Sequence, residues 1–302
     1  MINFTFLTQE QCFGRDKLDI LKKRGTKAAI TDFSVLLGGW VSGEHIENDS
    51  SLEGRTGSYW TRSDDGVNDV RVVVGSGRRI CSDVLYRFGG ARPALPFSSI
   101  GSIPTNGESG KRARDGILEV EYGYYPQKAV SRDMQERLER AYRSGSISKT
   151  RNSYTTDSVA YDEYDTSFQP QTHQEYEYNG KRYVRVEANS YYDGGDFTLS
   201  NGEQYRDGDD VWVEVLPVKW LVDEKSRMMI TEKLIFAGVQ FNKERNYHTR
   251  DFDRTDIKTF MDKYFSRDLV QSIGMLEQTR TSSNGAKKNE NPYNLDFSET
   301  SE

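Results

Sequence analysis

The chain has 302 residues, with 41 Lys+Arg against 47 Asp+Glu and a net charge of -6. The length allows one large domain or two small ones, and the mild acidity removes the attraction to phosphate on which non-specific nucleic-acid binding depends. Aromatic residues at 12%, led by Tyr 18 and Phe 14, exclude a disordered chain, which lacks the apolar groups that offset ordering entropy.

In chain order, the first predicted element is a helix opened by Thr8-Gln-Glu-Gln11, a capping box in which hydroxyl and amide satisfy free backbone N–H groups reciprocally. Leu18 and Leu21 form its buried side, and Gly25 after Lys22-Lys-Arg24 ends it. Thr31-Asp32 opens a second, short helix carrying Phe33, Leu36, Leu37 and Trp40 at helical spacing, broken by Gly38-Gly39. From about residue 53 to 100 the texture changes to short β-branched and aromatic runs: Tyr59-Trp-Thr-Arg62, Val70-Arg-Val-Val-Val74 and Arg79-Ile-Cys-Ser-Asp-Val-Leu-Tyr86. The turn sequences Asp64-Asp-Gly66 and Gly75-Ser-Gly77 divide them, which predicts an antiparallel meander. It closes on Phe88-Gly-Gly-Ala-Arg-Pro-Ala-Leu95, an irregular backbone beside a short strand.

Residues 101–116 read as a polar connector, followed by a strand at 117–122 and a turn at Tyr124-Tyr-Pro-Gln127. A helix N-capped by Ser131 follows, with Met134, Leu138, Ala141 and Tyr142 on one face and Gly145 as its stop. Asn179-Gly180, flanked by alternating residues, predicts a hairpin with a type I′ turn. A strand pair is expected at 211–222 and 228–235, then a helix with Ile257, Phe260, Met261 and Tyr264, then a short helix through Leu269 and Ile273. Residues 277–302 read as a flexible tail. The fold class is therefore α+β, with mixed antiparallel sheets and a few flanking helices.

Two cysteines, Cys12 and Cys81, exclude a disulfide framework. Three scattered histidines, His45, His173 and His248, have no zinc spacing, so neither a metal nor a cofactor is expected. Asp193-Gly-Gly-Asp196 and Asp207-Gly-Asp-Asp210 offer the oxygen ligands calcium favours but lack the spacing of a calcium loop, and they read as turns. The acidic-aromatic run Tyr161-Asp-Glu-Tyr-Asp165 reads as a solvated loop. No apolar run approaches the ~20 residues of a membrane span. The first ten residues lack a basic flank and a long apolar stretch, so no secretory signal is expected and the default location is cytoplasmic or virion-associated.

Two segments carry a resemblance. Gly57-Ser-Tyr-Trp-Thr-Arg-Ser63 and Gly89-Gly-Ala-Arg-Pro-Ala-Leu95 resemble the closing half of bacterial and phage C-type-lectin-like domains. These include the variable proteins diversified by retroelements and, more distantly, the formylglycine-generating enzyme fold. Glu121-Tyr-Gly-Tyr-Tyr-Pro-Gln127, Pro217-Val-Lys-Trp-Leu-Val222 and Asp256-Ile-Lys-Thr-Phe-Met-Asp-Lys-Tyr-Phe265 resemble the opening half. The closing half comes first here, so the resemblance implies one circularly permuted domain over 1–276, with a closing half at 1–100, the connector at 101–116 and an opening half at 117–276. Two incomplete modules side by side are the alternative. Permutation predicts that the end of the last helix near Ser272 lies close to residues 4–8.

The resemblance further implies a rigid scaffold whose exposed side chains recognise a protein or glycan ligand. On the meander those candidates are Tyr59, Arg62, Asp64, Asp65, Asn68, Asp69, Arg71, Arg78, Arg79, Cys81, Asp83 and Tyr86, with Ser82 and Arg87 beside them. Trp60, Val70, Val72, Ile80 and Leu85 are their expected buried support. Tyr and Arg dominate interface energetics because each buries much area with a polar tip. An ordinary solvated meander shows the same alternation. Trp40 and Trp60 are expected in the core. Arg92 before Pro93 suits a structural arginine bonding loop carbonyls, and Trp220 is the tryptophan of the second motif. Two other readings stand beside recognition: a phage or virion adhesin component, and an enzyme of the formylglycine-generating fold. Against the enzyme, Cys12 and Cys81 lie in no thiol-pair motif, and neither a Ser-His-Asp arrangement nor a nucleotide fingerprint is present. Against the adhesin, there is no heptad stretch for a stalk.

Overall fold

A computed structural model of the protein describes residues 2–65, 69–87, 89–157, 170–189, 197–243 and 251–273. Helix α1 (Gln9–Phe13) opens with the predicted capping box: Thr8 Oγ1 accepts the Gln11 N–H at 3.1 Å, and the Gln11 side chain accepts the Thr8 N–H at 2.8 Å. It does not run on to Gly25. Gly14 has little helix propensity and takes an extended backbone, and a separate α2 (Asp19–Arg24) ends at Gly25 with φ +74°. Helix α3 (Asp32–Leu36) is short, as expected, and is capped by Thr31. Trp40 falls beyond it and is only half-buried, a correction to its expected core position. The helix ends at Leu37–Gly38, so Trp40 no longer shares its buried face.

Strands β1 (Val41–His45) and β2 (Arg55–Gly57) form a small ribbon. The meander follows as a separate three-stranded sheet, β3 (Tyr59–Asp64), β4 (Asp69–Val73) and β5 (Arg79–Asp83), with β5 at its edge. The third strand ends at Asp83 rather than Tyr86, where the chain turns. Strand β6 (Ala94–Pro96) already belongs to the large sheet. The connector is not featureless: β7 (Lys111–Arg112) clips onto β8 (Leu118–Ala129).

Strand β8 passes straight through Tyr124-Tyr-Pro-Gln127, where a turn is predicted. The ladder with its neighbour is irregular beside Pro126, so the missing N–H is tolerated there. Gly123 absorbs a second irregularity with φ +75°. A Cβ on Gly123 would lie 2.3 Å from Leu269 Cγ, so the glycine also sets how closely the last helix approaches. Tyr125 is thereby driven into the core.

Helix α4 (Arg132–Arg143) buries Leu138 and Ala141, and Gly145 follows it at φ +69°. Ser131 occupies the N-cap position, yet its side chain makes no capping bond. Strands β9 (Ser148–Asp157), β10 (Pro170–Tyr178) and β11 (Lys181–Glu187) come next. The hairpin between β10 and β11 has the expected turn, with Asn179 at φ +51° and Gly180 at +75°. A short ribbon of β12 (Phe197–Thr198) and β13 (Gln204–Tyr205) precedes β14 (Asp210–Asp223) and β15 (Met228–Thr231). The chain then forms α5 (Asp256–Phe260), a π turn over Met261–Phe265 and α6 (Ser266–Val270).

The eight-stranded sheet has the order β6-β15-β14-β11-β10-β9, with β8 along the other flank of β14 and β7 outside it. All of its pairings are antiparallel, and the architecture is α+β. Its outermost strand β9 is sealed by α6 side chains. The Gln271 amide accepts the Ser153 N–H at 3.2 Å and donates to its carbonyl at 2.6 Å, while Asp268 accepts the Thr155 N–H at 2.6 Å. At the opposite end, Thr5 bridges Ala94 of β6. One buried cluster includes residues from Phe4 to Leu269 and so draws on residues 1–100 and 117–276 alike; a smaller one gathers Leu138, Tyr176, Tyr183 and Trp212 under α4. Phe4 meets the last helix through Phe265, ring centroids 5.1 Å apart. Ser272 instead faces β9 and β10, accepting from Asn152 at 2.9 Å.

Candidate functional site

The meander is held to the body through β3. Gly90 donates to the Ser58 carbonyl at 2.7 Å and accepts from Trp60 N–H at 3.2 Å, and Arg62 N–H reaches the Leu7 carbonyl at 2.9 Å. Gly89 lies under the Trp60 indole so closely that a Cβ there would be 2.2 Å from Cε2. The paired glycines of the motif are thus required by close approach. Trp60 is buried, as expected.

Arg92 is buried and donates from Nε to the Thr231 carbonyl at 3.0 Å and from Nη1 to the Tyr59 hydroxyl at 3.5 Å. Its guanidinium also sits 5.5 Å from the Tyr59 ring centroid. Pro93 is buried beside it and accepts from Thr231 N–H at 3.0 Å. Trp220 is buried too, its Nε1 donating to the Tyr122 carbonyl at 2.9 Å.

Tyr59 was expected on the ligand-facing surface, and the structure corrects this: it is 1% exposed. It lies opposite Val73 at the end of the meander that is covered on both faces. Its hydroxyl donates to the Thr26 carbonyl at 2.7 Å, and burial pushes its pKa well up. Tyr59 is a scaffold residue.

The remaining candidates divide by exposure. Arg62, Asp64, Arg78, Arg79, Cys81 and Tyr86 are exposed, whereas Asp65, Asp69, Arg71 and Asp83 are half-buried. Asn68 lies outside the described residues. Two support assignments are exchanged: Ile80, expected inside, is 44% exposed, and Ser82 is buried in its place. Ile80 shares a face with Val72 and with Ser82, but on edge strand β5 that face is covered at the Ser82 end and not, among the described residues, at Ile80. Leu85 is half-buried. The segment after β5 is fixed from below, where Asn242 N–H bonds the Val84 carbonyl at 3.2 Å and Gln240 Nε2 bonds that of Leu85 at 2.8 Å. Arg87 approaches the buried Asp157 carboxylate at 3.7 Å.

Asp65, Arg71 and Cys81 form one cluster on the meander. Arg71 pairs with Asp65 and donates to Cys81 Sγ at 3.0 Å, and the thiol in turn donates to Asp65. The hydrogen bond to Asp65 stabilises the protonated thiol and raises its pKa, so the group is not poised as a thiolate. Cys12 is also a free thiol, buried in α1 and pushed up to about 12 by burial.

Sequence patterns carried no sign of the buried polar cluster between β9, β10 and α6. Glu175 is fully buried and accepts from Tyr154 Oη at 2.7 Å, Thr150 Oγ1 at 2.9 Å and Asn152 Nδ2 at 3.0 Å, with Arg182 at 3.9 Å. Asp32, at the start of α3, is buried and accepts from Ala129 N–H and Ser200 N–H, both at 2.8 Å. These groups are satisfied within the chain and read as structural pins.

Of the two acidic turns, Asp193–Asp196 lies outside the described residues, as do the run at 161–165 and the tail at 277–302. In the other turn, Asp209 accepts the Arg206 N–H at 2.7 Å and Asp210 pairs with Arg185 at 2.7 Å, so both carboxylates serve the fold. Among the described residues no group of three or more His, Cys, Asp and Glu could hold a metal ion, and no helix is long and apolar enough to cross a membrane. No protein-family model, curated protein or solved structure matches the chain.

Proposed function

We propose that the protein is a recognition protein. In this reading it carries a C-type-lectin-like scaffold with its halves in permuted order, presents the 58–87 meander to a protein or glycan ligand, and draws its variety at that surface from retroelement diversification. The observation that carries the reading is the division of labour within the meander. Tyr59, Trp60, Val70, Val72 and Val73 are locked into the core, while Arg62, Asp64 and Arg79 stand out on the same few strands and Arg78 and Tyr86 on the turns beside them. Such a surface can change its side chains without disturbing its support. Tyr86, 45% exposed, and Ile80 add apolar area among the charges, the mixture on which interface anchors are built. The cluster shared by residues 1–100 and 117–276 supports one domain over two modules side by side.

The test is a screen of the full chain against arrays of glycans and of cell-surface proteins, followed by Arg62→Ala, Arg78→Ala and Tyr86→Ala. The expected result is a ligand whose affinity falls tenfold or more in at least one variant, corresponding to ~1.4 kcal/mol, with melting temperatures unchanged. A ligand that binds all three variants as tightly as the parent overturns the surface assignment. In the encoding DNA, an adenine-containing template copy of codons 58–87 beside a reverse transcriptase gene is the corresponding expectation for diversification.

A further inference from the structure

Edge strand β5 has a property that the ligand reading does not use. In an antiparallel sheet, residues alternate in turning their backbone groups to one neighbour or the other. Asp69 turns toward β3, since its carbonyl accepts the Asp65 N–H at 2.9 Å, and so does Arg71, whose carbonyl accepts from Thr61 Oγ1 at 2.7 Å. Val70 and Val72 therefore face β5, and their register partners Ser82 and Ile80 face back. The Val74 N–H to Arg78 carbonyl bond of 2.8 Å continues the same alternation. Arg79 and Cys81 consequently turn their backbone groups outward, along an edge where Arg79, Ile80 and Cys81 are consecutively exposed; Asp83 turns the same way, with its carbonyl already accepting Tyr86 N–H at 3.2 Å and its Oδ1 accepting Leu85 N–H at 3.0 Å.

The outward residues are self-complementary. If a second β5 runs antiparallel to the first about an axis at Cys81, each Arg79 stands opposite Asp83 of the partner subunit, and Cys81 stands opposite its own copy. We propose that β5 is a homotypic docking edge, on which a second copy of this chain adds its own β5 to join two meanders into one continuous sheet. Cys81 exchanges both backbone bonds with its counterpart, and Asp83 N–H donates to the carbonyl of the partner subunit's Arg79. Two cross-strand ion pairs fix the register, because opposite charges directly across a ladder attract and like charges repel. Ile80, on the other face, gains cover from the added strand.

Arg78 and Arg79 also resemble the charged residues that protect sheet edges from pairing. Protection by like charge alone would not place an acidic residue four positions on, in register with the arginine of an antiparallel copy. Five residues form a small interface, well under the ~800 Å² per partner of a standard complex, so the pair is a weak, concentration-dependent dimer. The inference shares Arg79 with the ligand surface but is tested separately, since its ion pair is Arg79 with Asp83 and the ligand variants are at Arg62, Arg78 and Tyr86.

The test is sedimentation equilibrium of the full chain from ~10 μM to ~1 mM, a range chosen for an interface of this size. The parent is expected to move from monomer toward dimer. Arg79→Asp and Asp83→Arg each set like charges against one another and are expected to weaken association on the order of tenfold or more. An equimolar mixture of the two variants again places opposite charges at both contacts and is expected to recover the parent's association, which also shows that both variants are folded. A parent that stays monomeric throughout, single variants that associate like the parent, or a mixture no better than its components each overturns the proposal.

Discussion

Two buried titratable groups pull the stability of this fold in opposite directions as pH changes. His173 in β10 is buried edge-on to Phe33, ring centroids 5.7 Å apart, with Nε2 2.8 Å from Thr156 Oγ1. Burial lowers its pKa from 6.5 to about 4. Folding therefore favours the neutral imidazole: the contribution is fully present above pH 6.5 and is lost as pH falls through about 4. Asp268 in α6 is also buried, and burial outweighs its bonds to Thr155 N–H and Arg267, raising its pKa from 3.8 to about 6. Its contribution is fully present below 3.8 and is lost as pH rises through about 6. Each displacement corresponds to about 3 kcal/mol. Between pH 6 and 4 one group loses about what the other gains, so their combined contribution is nearly flat over the window they share.

Substitution separates the two. His173→Gln keeps a polar partner near Thr156 and removes the titration, so stability should rise by about 3 kcal/mol between pH 7 and pH 4 relative to the parent's change. Asp268→Asn should do the reverse by a similar amount. Urea unfolding at pH 7, 5.5 and 4 measures both, and the surface carboxylates common to all variants drop out of the comparison. Variant profiles that run parallel to the parent across this window refute the reasoning.

Other consequences follow from single contacts. Gly89→Ala drives a methyl into the Trp60 indole and should cost about 1–3 kcal/mol, read as a lowered melting temperature. Tyr154→Phe removes a donor from the buried Glu175 carboxylate and should destabilise by about 1–3 kcal/mol in urea unfolding. Asp65→Asn removes the carboxylate that holds the Cys81 proton, so alkylation of Cys81 by iodoacetamide near pH 7.5 should become faster than in the parent. Unchanged or slower alkylation would contradict the cluster geometry. Thr8→Ala should lose about 1 kcal/mol through the α1 cap, visible in the same unfolding assay.

Elements governed by local rules were legible in the sequence. The Thr8 capping box, the Asn179-Gly180 hairpin and the three strands of the meander each depend on residues a few positions apart. Tyr59 was misread because its burial depends on the Thr26 carbonyl and on Arg92, 33 residues away on either side. The Tyr124-Tyr-Pro-Gln127 stretch has turn composition, yet a long partner strand with an irregular register can accommodate it, and composition does not reveal that partner. Ile80 alternates correctly; that cover on the edge strand reaches Ser82 and stops short of Ile80 depends on the tertiary packing. The cluster around Glu175 joins positions up to 120 apart, and no spacing announces it.

The closure of β9 by α6 also bears on the order in which the chain is made. Asp268 and Gln271 occupy backbone groups that another strand would otherwise take, and they follow every strand of the sheet they protect. During synthesis, the ten residues of β9 have an open edge until the last helix has emerged and docked. A ribosome stalled before residue 256 would hold a nearly complete sheet with its most adhesive side uncovered. For this protein the helix is a late safeguard against pairing between nascent chains, as well as a wall of the core.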